Sequence, residues 1–146
     1  MSGKDHKVAA LLEGVEGGDH DPHLVGYVRC FNAQRFYEAH DVLEALWLKD
    51  RTGPDGDFFK GLIQFAGAFV HLQKQHPRPA SKLFRLCRTY LAEYPSPFHS
   101  LDVIGILRLA NRWGQAAQAL GREGDLLAKE ESPKLSLSGV GVRWQA

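Results

Sequence analysis

Residues 58–75, FFKGLIQFAGAFVHLQKQ, decide the fold that this sequence predicts. On a helical wheel, apolar side chains cover more than half of the circumference of this segment. A helix of that kind needs neighbours on several sides, so we expect it to lie at the centre of a helical bundle. Gly61 and Gly67 lie close to a narrow polar strip that carries Gln64 and His71. Small residues beside this strip would let another helix approach closely.

A second amphipathic helix is predicted immediately before the central one, over residues 34–49. Its apolar stripe repeats with the period of an α-helix and consists of Phe36, Ala39, Leu43 and Trp47. His40 falls inside that stripe and Glu44 at its edge. The turn-rich residues 50–56 end this helix, because they hold glycine, proline and aspartate together.

The remaining periodicity completes an all-α fold, a compact bundle of about five helices. Further helices are predicted over 22–31, over about 80–93, and from a cap at Ser100 or Asp102 to about residue 120. We therefore divide the chain into a flexible N-terminal arm (1–21, with one helical turn), a helical bundle domain (22–121) and a C-terminal tail (122–146).

The tail has a different pattern, in which apolar residues alternate with smaller or polar ones. The alternating positions are Leu135, Leu137, Val140, Val142 and Trp144. This pattern is typical of a strand, and a lone strand needs something with which to pair. The sequence therefore predicts a less regular, extended tail, with a homo-oligomer formed through it as a candidate partnership.

Composition limits the class of protein. A chain of 146 residues fits one domain, and a net charge of +1 implies no polyanionic partner. No apolar run approaches the ~20 residues of a membrane span, and residues 1–7 do not lead into a signal-peptide core. The expectation is a cytoplasmic protein that does not enter a membrane. Cys30 and Cys87 lie inside helical patterns and are expected to be reduced and packed in the core.

Two stretches together carry a family resemblance: FNAQRFYEAHDVLEALW (31–47) and GLIQFAGAFVHLQ (61–73). In this order and spacing they resemble the bacterial and archaeal family called domain of unknown function 309, over roughly residues 24–91. The most specific element of the resemblance is a motif in which histidine is followed by glutamate after three residues and by tryptophan after two more. His40, Glu44 and Trp47 match this motif. The resemblance implies a small multihelical bundle whose signature is suspected of binding metal, with no assigned reaction.

A metal site is one hypothesis for this signature. Residues four apart lie over one another on a helix, so His40 and Glu44 could reach one divalent ion such as zinc, iron or manganese. His71 is the candidate third ligand from the facing helix. Asp41 is then a carboxylate at the rim, and Gln64 and Trp47 surround the ligands.

A structural polar clasp is the alternative that we favour at this stage, since a metal site normally needs three or four ligands. A histidine within a core stripe must find a hydrogen-bond partner, and Glu44 could supply one to His40. The indole N–H of Trp47 could use a nearby acceptor. On this hypothesis the protein is a scaffold or interaction domain.

A basic stripe supports a third hypothesis. No acidic residue lies between Asp57 and Glu93, and the helical period places four cations on one side of the fourth predicted helix: Arg78, Lys82, Arg85 and Arg88. Such a stripe could bind phosphate or a nucleic-acid backbone. Nucleic acid is the less favoured ligand, because no base-reading motif or series of stacking aromatics accompanies the charges.

The common catalytic signatures are absent from the sequence. It contains no phosphate-binding glycine loop, no nucleophile elbow and no metalloprotease helix with two histidines. Whether the protein is an enzyme is left open by its sequence.

Overall fold

A computed structural model describes residues 3–14 and 20–137 of the chain. These residues form the helices α1 (Gly3–Leu12), α2 (Pro22–Asn32), α3 (Phe36–Lys49), α4 (Gly56–Gln73), α5 (Pro77–Leu91), α6 (Val103–Leu120) and the short α7 (Leu126–Lys129). Within the described ranges no strand occurs, so the predicted all-α class is confirmed. The expected helices correspond to α2–α6, with α1 and α7 in addition.

The central position predicted for the third helix is occupied by α4. It packs against α3 on one side and α5 on the other, while α6 packs against α5 and α2 against α3. Most of its side chains are buried, including Leu62, Phe65 and Phe69. Continuous apolarity around a helix therefore corresponds to burial on several sides.

An aromatic cluster around Phe69 joins the elements of the bundle. The Phe69 ring centroid lies 5.1–5.2 Å from those of five other rings, which come from α2, α3, α4, α5 and α6. These partners are Phe31, Phe36, Phe65, Phe84 and Trp113. Edge-to-face and stacked pairs at such distances add to the stabilisation that burial alone provides.

The N-terminal segment differs from the expected arm with one helical turn. The helix α1 spans ten residues and packs on α2 and α3. Val8 is buried, and the Leu12 side chain lies so close to Gly26 that a Cβ there would be 2.5 Å from it. The expectation was wrong in extent because Val8, Leu11 and Leu12 form an apolar face that only tertiary contacts reveal.

Aspartate caps define two helix starts where the sequence predicted them. The Asp21 side chain accepts a hydrogen bond from the His23 backbone N–H at the start of α2. At the start of α6, Asp102 rather than Ser100 acts as the cap and accepts from the Gly105 N–H at 2.9 Å. Such caps satisfy backbone donors that have no partner inside the helix.

The tail returns to the bundle and is held by Asn32, the last residue of α2. The Asn32 amide donates to the Leu135 carbonyl and accepts from the Leu135 N–H, each at 2.7 Å. Leu135 and Leu137 are buried, so this part of the alternating pattern packs within its own chain. Val140, Val142 and Trp144 lie outside the described residues, and a homo-oligomer through the tail stays a prediction.

The two cysteines are free and buried, as expected for packed thiols. Burial raises the pKa of the Cys87 thiol well above its ordinary value, which keeps it protonated and unreactive. Of the helices in the described part of the chain, none combines the length and apolarity that crossing a membrane requires.

Candidate functional site

Asp41 is the centre of a polar cluster on α3. Its side chain is almost fully buried, with 4% exposed. One carboxylate oxygen accepts a hydrogen bond from Lys7 Nζ of α1 at 2.9 Å, and the other lies 3.3 Å from His40 Nδ1. The expected rim position of Asp41 is therefore wrong, because this side of α3 is covered by α1. The ion pair attaches α1 to α3.

His40 lies at the border of the apolar stripe rather than inside it, with 29% of its side chain exposed. Its Nε2 atom is 3.9 Å from Glu44 Oε2, which is beyond hydrogen-bond distance. Its other nitrogen faces Asp41. The carboxylates of Asp41 and Glu44 thus face the two nitrogens of one imidazole ring.

Trp47 contacts a lysine through the face of its ring, whereas the sequence led us to expect a hydrogen bond from its indole N–H. The Lys60 ammonium of α4 lies 4.4 Å from the centroid of the Trp47 ring. A cation at this distance is attracted by the face of the ring. Trp47 therefore contributes to the α3–α4 contact, and no hydrogen bond joins it to His40 among the described residues.

A pocket of about 210 Å³ opens beside this cluster, between α3, α4 and the start of α5. It is lined by Tyr37, His40, Ile63, Gln64, Gly67, Val70, His71, Lys74 and Leu83. His40 and His71, predicted from the sequence on facing helices, thus share one pocket together with Gln64. Glu44 lies beside His40 and does not line this pocket. We refer to it as the α3–α4 pocket.

The two ring nitrogens of His71 lie in different environments. Its Nδ1 atom is enclosed and has no hydrogen-bond partner among the described residues, whereas Nε2 is not enclosed. Burial lowers the pKa of His71 below its ordinary value, and the neighbouring Lys74 and His76 lower it further. A neutral imidazole with its proton on Nε2 avoids burying an unpaired N–H group. In this tautomer Nε2 is the ring nitrogen that can donate a hydrogen bond.

The structure contains part of the geometry that a metal site would require. A carboxylate that orients one nitrogen of a histidine while the other binds metal is a common arrangement, and Asp41 stands in this relation to His40. However, within residues 3–14 and 20–137 no group of three or more histidine, cysteine, aspartate or glutamate side chains is placed to hold a metal ion. In the described part of the chain, His40 and Glu44 thus lie close together, but no third histidine, cysteine, aspartate or glutamate is placed to complete a metal site with them.

The four residues of the basic stripe are exposed, but they do not all line the same groove. Arg78, Lys82, Arg85 and Arg88 are all exposed on α5. Arg85 and Arg88 line a groove against α6, whereas Arg78 and Lys82 do not. The stripe is divided because α5 packs on both α4 and α6, so that different sides of it meet different neighbours.

Sequence analysis missed several residues of the site. Lys7 lies in a segment with no clear period, and its pairing with a residue 34 positions later is a tertiary contact. Tyr37, Lys74 and Leu83 line the pocket without belonging to a motif. The available signal was the polar strip of α4, which carries Gln64 and His71 and continues to Lys74 just after the helix.

Comparison with known proteins supports the resemblance. No curated protein matches the chain. Every residue that lines the α3–α4 pocket lies within 24–83, a range that spans α2 to α4 and the start of α5. Residues 24–83 match the model of the family described as Domain of unknown function (DUF309), which is the family that the two stretches resemble.

Proposed function

We propose that this protein is a ligand-binding domain, in which the α3–α4 pocket takes a small carboxylate with an apolar body. The observation that carries the proposal is the pocket itself. It combines a wall of aliphatic side chains with polar groups that converge from two helices. Pockets of this composition are the usual binding sites for small molecules. At about 210 Å³, this one fits a ligand smaller than a typical drug.

The polar cluster has a structural role in this proposal. Asp41 is buried and charged, so it needs partners, and Lys7 and His40 supply two. His40 is thereby held at the edge of the pocket. This is the scaffold part of the function: a clasp centred on Asp41 that fixes α1 against α3 and orients one wall of the pocket.

The chemistry of the pocket favours an acid as ligand. Lys74 brings an ammonium group, and the proposed tautomer of His71 brings a neutral N–H donor. Both donate to acceptor oxygens, and a carboxylate offers two of them. Ile63, Val70 and Leu83 would surround a short branched hydrocarbon. Isovalerate combines these two features and serves as the probe.

Isovalerate is expected to bind with a Kd of about 0.1–10 mM, the range open to so small a ligand. The measurement is a protein NMR titration that follows backbone amide shifts of α3 and α4. The matched control ligand is 3-methylbutan-1-ol, which has the same carbon skeleton without the charge and should bind much more weakly. A Lys74→Gln variant, changed just after the end of α4, should lose affinity, while Lys60→Gln, within α4 but beside Trp47, should not.

Gly67→Ala provides a blocking variant for the same titration. A Cβ at Gly67 would lie 3.2 Å from Leu83 Cδ1 and 4.0 Å from His40 Cδ2, at the floor of the pocket. Alanine also favours the helix by about 1 kcal/mol relative to glycine, so the variant should remain folded. If isovalerate shifts no pocket amides in the parent, or shifts them equally in the blocked variant, the ligand-binding proposal is wrong.

Metal binding is a second candidate function, favoured by the Asp41–His40–Glu44 arrangement. If it is correct, protein purified without tag or chelator contains zinc, iron or manganese near stoichiometry, measured by elemental analysis. His40→Ala and Glu44→Gln should then each lose the metal while staying folded, and Glu38→Gln, on the other side of α3, should retain it. A parent that is free of metal and resists reloading would exclude this function.

A further inference from the structure

The helices α5 and α6 form a groove on a face that the α3–α4 pocket does not use. They are in close contact at Phe84 and Gly114, where a Cβ on the glycine would lie 3.1 Å from Phe84 Cβ. Above this contact the helices leave a depression of about 170 Å³. It is lined by Ser81, Phe84, Arg85, Arg88, Ala110, Asn111, Gly114, Gln115 and Gln118. We refer to it as the α5–α6 groove.

The charged side chains that line the groove are both positive. Arg85 and Arg88 are exposed, and neither forms an ion pair with any residue of the described part of the chain. Moreover, neither α5 nor α6 contains an aspartate or glutamate. A concave surface with unpaired cations, and with no acid on either of the helices that form it, concentrates anions.

The opposite wall of the groove carries amide side chains. Asn111, Gln115 and Gln118 repeat at the spacing of one helix face, so they form a row along α6. Gln115 Nε2 donates to Asn111 Oδ1 at 3.4 Å. This contact occupies the oxygen of Asn111 and leaves its amino group to donate elsewhere. The groove therefore has hydrogen-bond donors on both sides.

We propose that the α5–α6 groove binds small phosphate monoesters. Arginine guanidinium groups match phosphate oxygens with pairs of parallel hydrogen bonds, and neutral amides complete the coordination of the remaining oxygens. The depression has the size of a small molecule rather than of an extended strand. The aromatic residue that lines it, Phe84, is fully buried and forms its floor, so it offers no face for stacking a base. The absence of an exposed aromatic face among the described residues that line the groove distinguishes it from surfaces that bind single-stranded nucleic acid by stacking bases.

Isothermal titration calorimetry with glycerol 3-phosphate tests the proposal. The parent should bind with a stoichiometry of one, and an Arg85→Gln/Arg88→Gln variant should bind about tenfold more weakly or worse, as expected when charged hydrogen bonds are lost. The matched control is Arg78→Gln/Lys82→Gln, which removes the same charge from the same helix outside the groove. It should bind like the parent. Inorganic phosphate should compete with glycerol 3-phosphate in the parent.

Three results would overturn the proposal. The first is an absence of heat on titration of the parent with glycerol 3-phosphate up to tens of millimolar. The second is equal weakening in both double variants, which would mean that overall charge alone attracts the ligand. The third is a single-stranded oligonucleotide that binds more tightly than glycerol 3-phosphate and depends on Arg78 and Lys82 as strongly as on Arg85 and Arg88. That result would assign the basic stripe to nucleic acid. Failure of isovalerate binding would not affect this test, since the two sites share no residue.

Discussion

Replacing Phe69 by alanine should lower the free energy of unfolding by about 3–5 kcal/mol, the usual cost of truncating a fully buried phenylalanine. Phe69 has no exposed surface, and its ring contacts aromatic rings from the other main helices of the bundle. The cavity would open where these helices meet, so the surrounding side chains could not collapse into it without moving several helices. Urea unfolding followed by circular dichroism measures the change.

The size of this effect matters because small domains are stable by only about 5–15 kcal/mol in total. Leu48→Ala is the control on α3, since 54% of Leu48 is exposed and its truncation should change stability by about 0.5 kcal/mol or less. A loss from Phe69→Ala as small as that of the control would mean that the aromatic cluster does not hold the bundle together.

Asn32→Ala should destabilise the protein by about 2–4 kcal/mol and release the tail. The Leu135 N–H and carbonyl are both paired with the Asn32 amide, and each would lose its partner. A buried backbone group left unpaired costs about 1–3 kcal/mol. Hydrogen exchange at the Leu135 amide should accelerate, and a protease should cut residues 131–137 more readily. Urea unfolding gives the loss of stability.

Two further variants sharpen the interpretation of Asn32. Asn32→Asp keeps an acceptor for the Leu135 N–H but places a carboxylate against its carbonyl, so it should also release the tail. Ser136→Ala changes an exposed neighbour of Leu135 and should leave exchange unchanged. If Asn32→Ala retains slow exchange at Leu135, then the buried leucines alone hold the tail.

The helices of the bundle could be predicted because the features that determine them, periodicity and capping, involve residues close together in the sequence. Apolar periodicity predicted α2 and α6 to within a few residues, with Asp102 among the candidate caps of α6, and full apolarity predicted the central position of α4. The extent of α1 could not be predicted in this way. Its helix depends on burying Val8 against distant parts of the chain, and its own sequence contains no cap or strong period.

The candidate site was predictable in part. The polar strip of α4 and the signature on α3 singled out His40, Gln64 and His71, which line one pocket in the structure. The burial of Asp41 and its pairing with Lys7 were not predicted, because the sequence does not show which side of α3 another helix covers. For the same reason the helical period predicts one basic surface on α5, although only Arg85 and Arg88 of the stripe line the groove against α6.

The all-helical class, the order of the helices and the residue types available for binding can be predicted from the sequence alone. These follow from side-chain periodicity and capping, which act over a few neighbouring residues. The tertiary structure alone decided which of these residues share a pocket, which charge is buried and where the tail returns. The contact of Asn32 with Leu135 spans 103 positions, and no local pattern encodes it. Such contacts depend on how helices pack, because packing determines which polar groups must find distant partners.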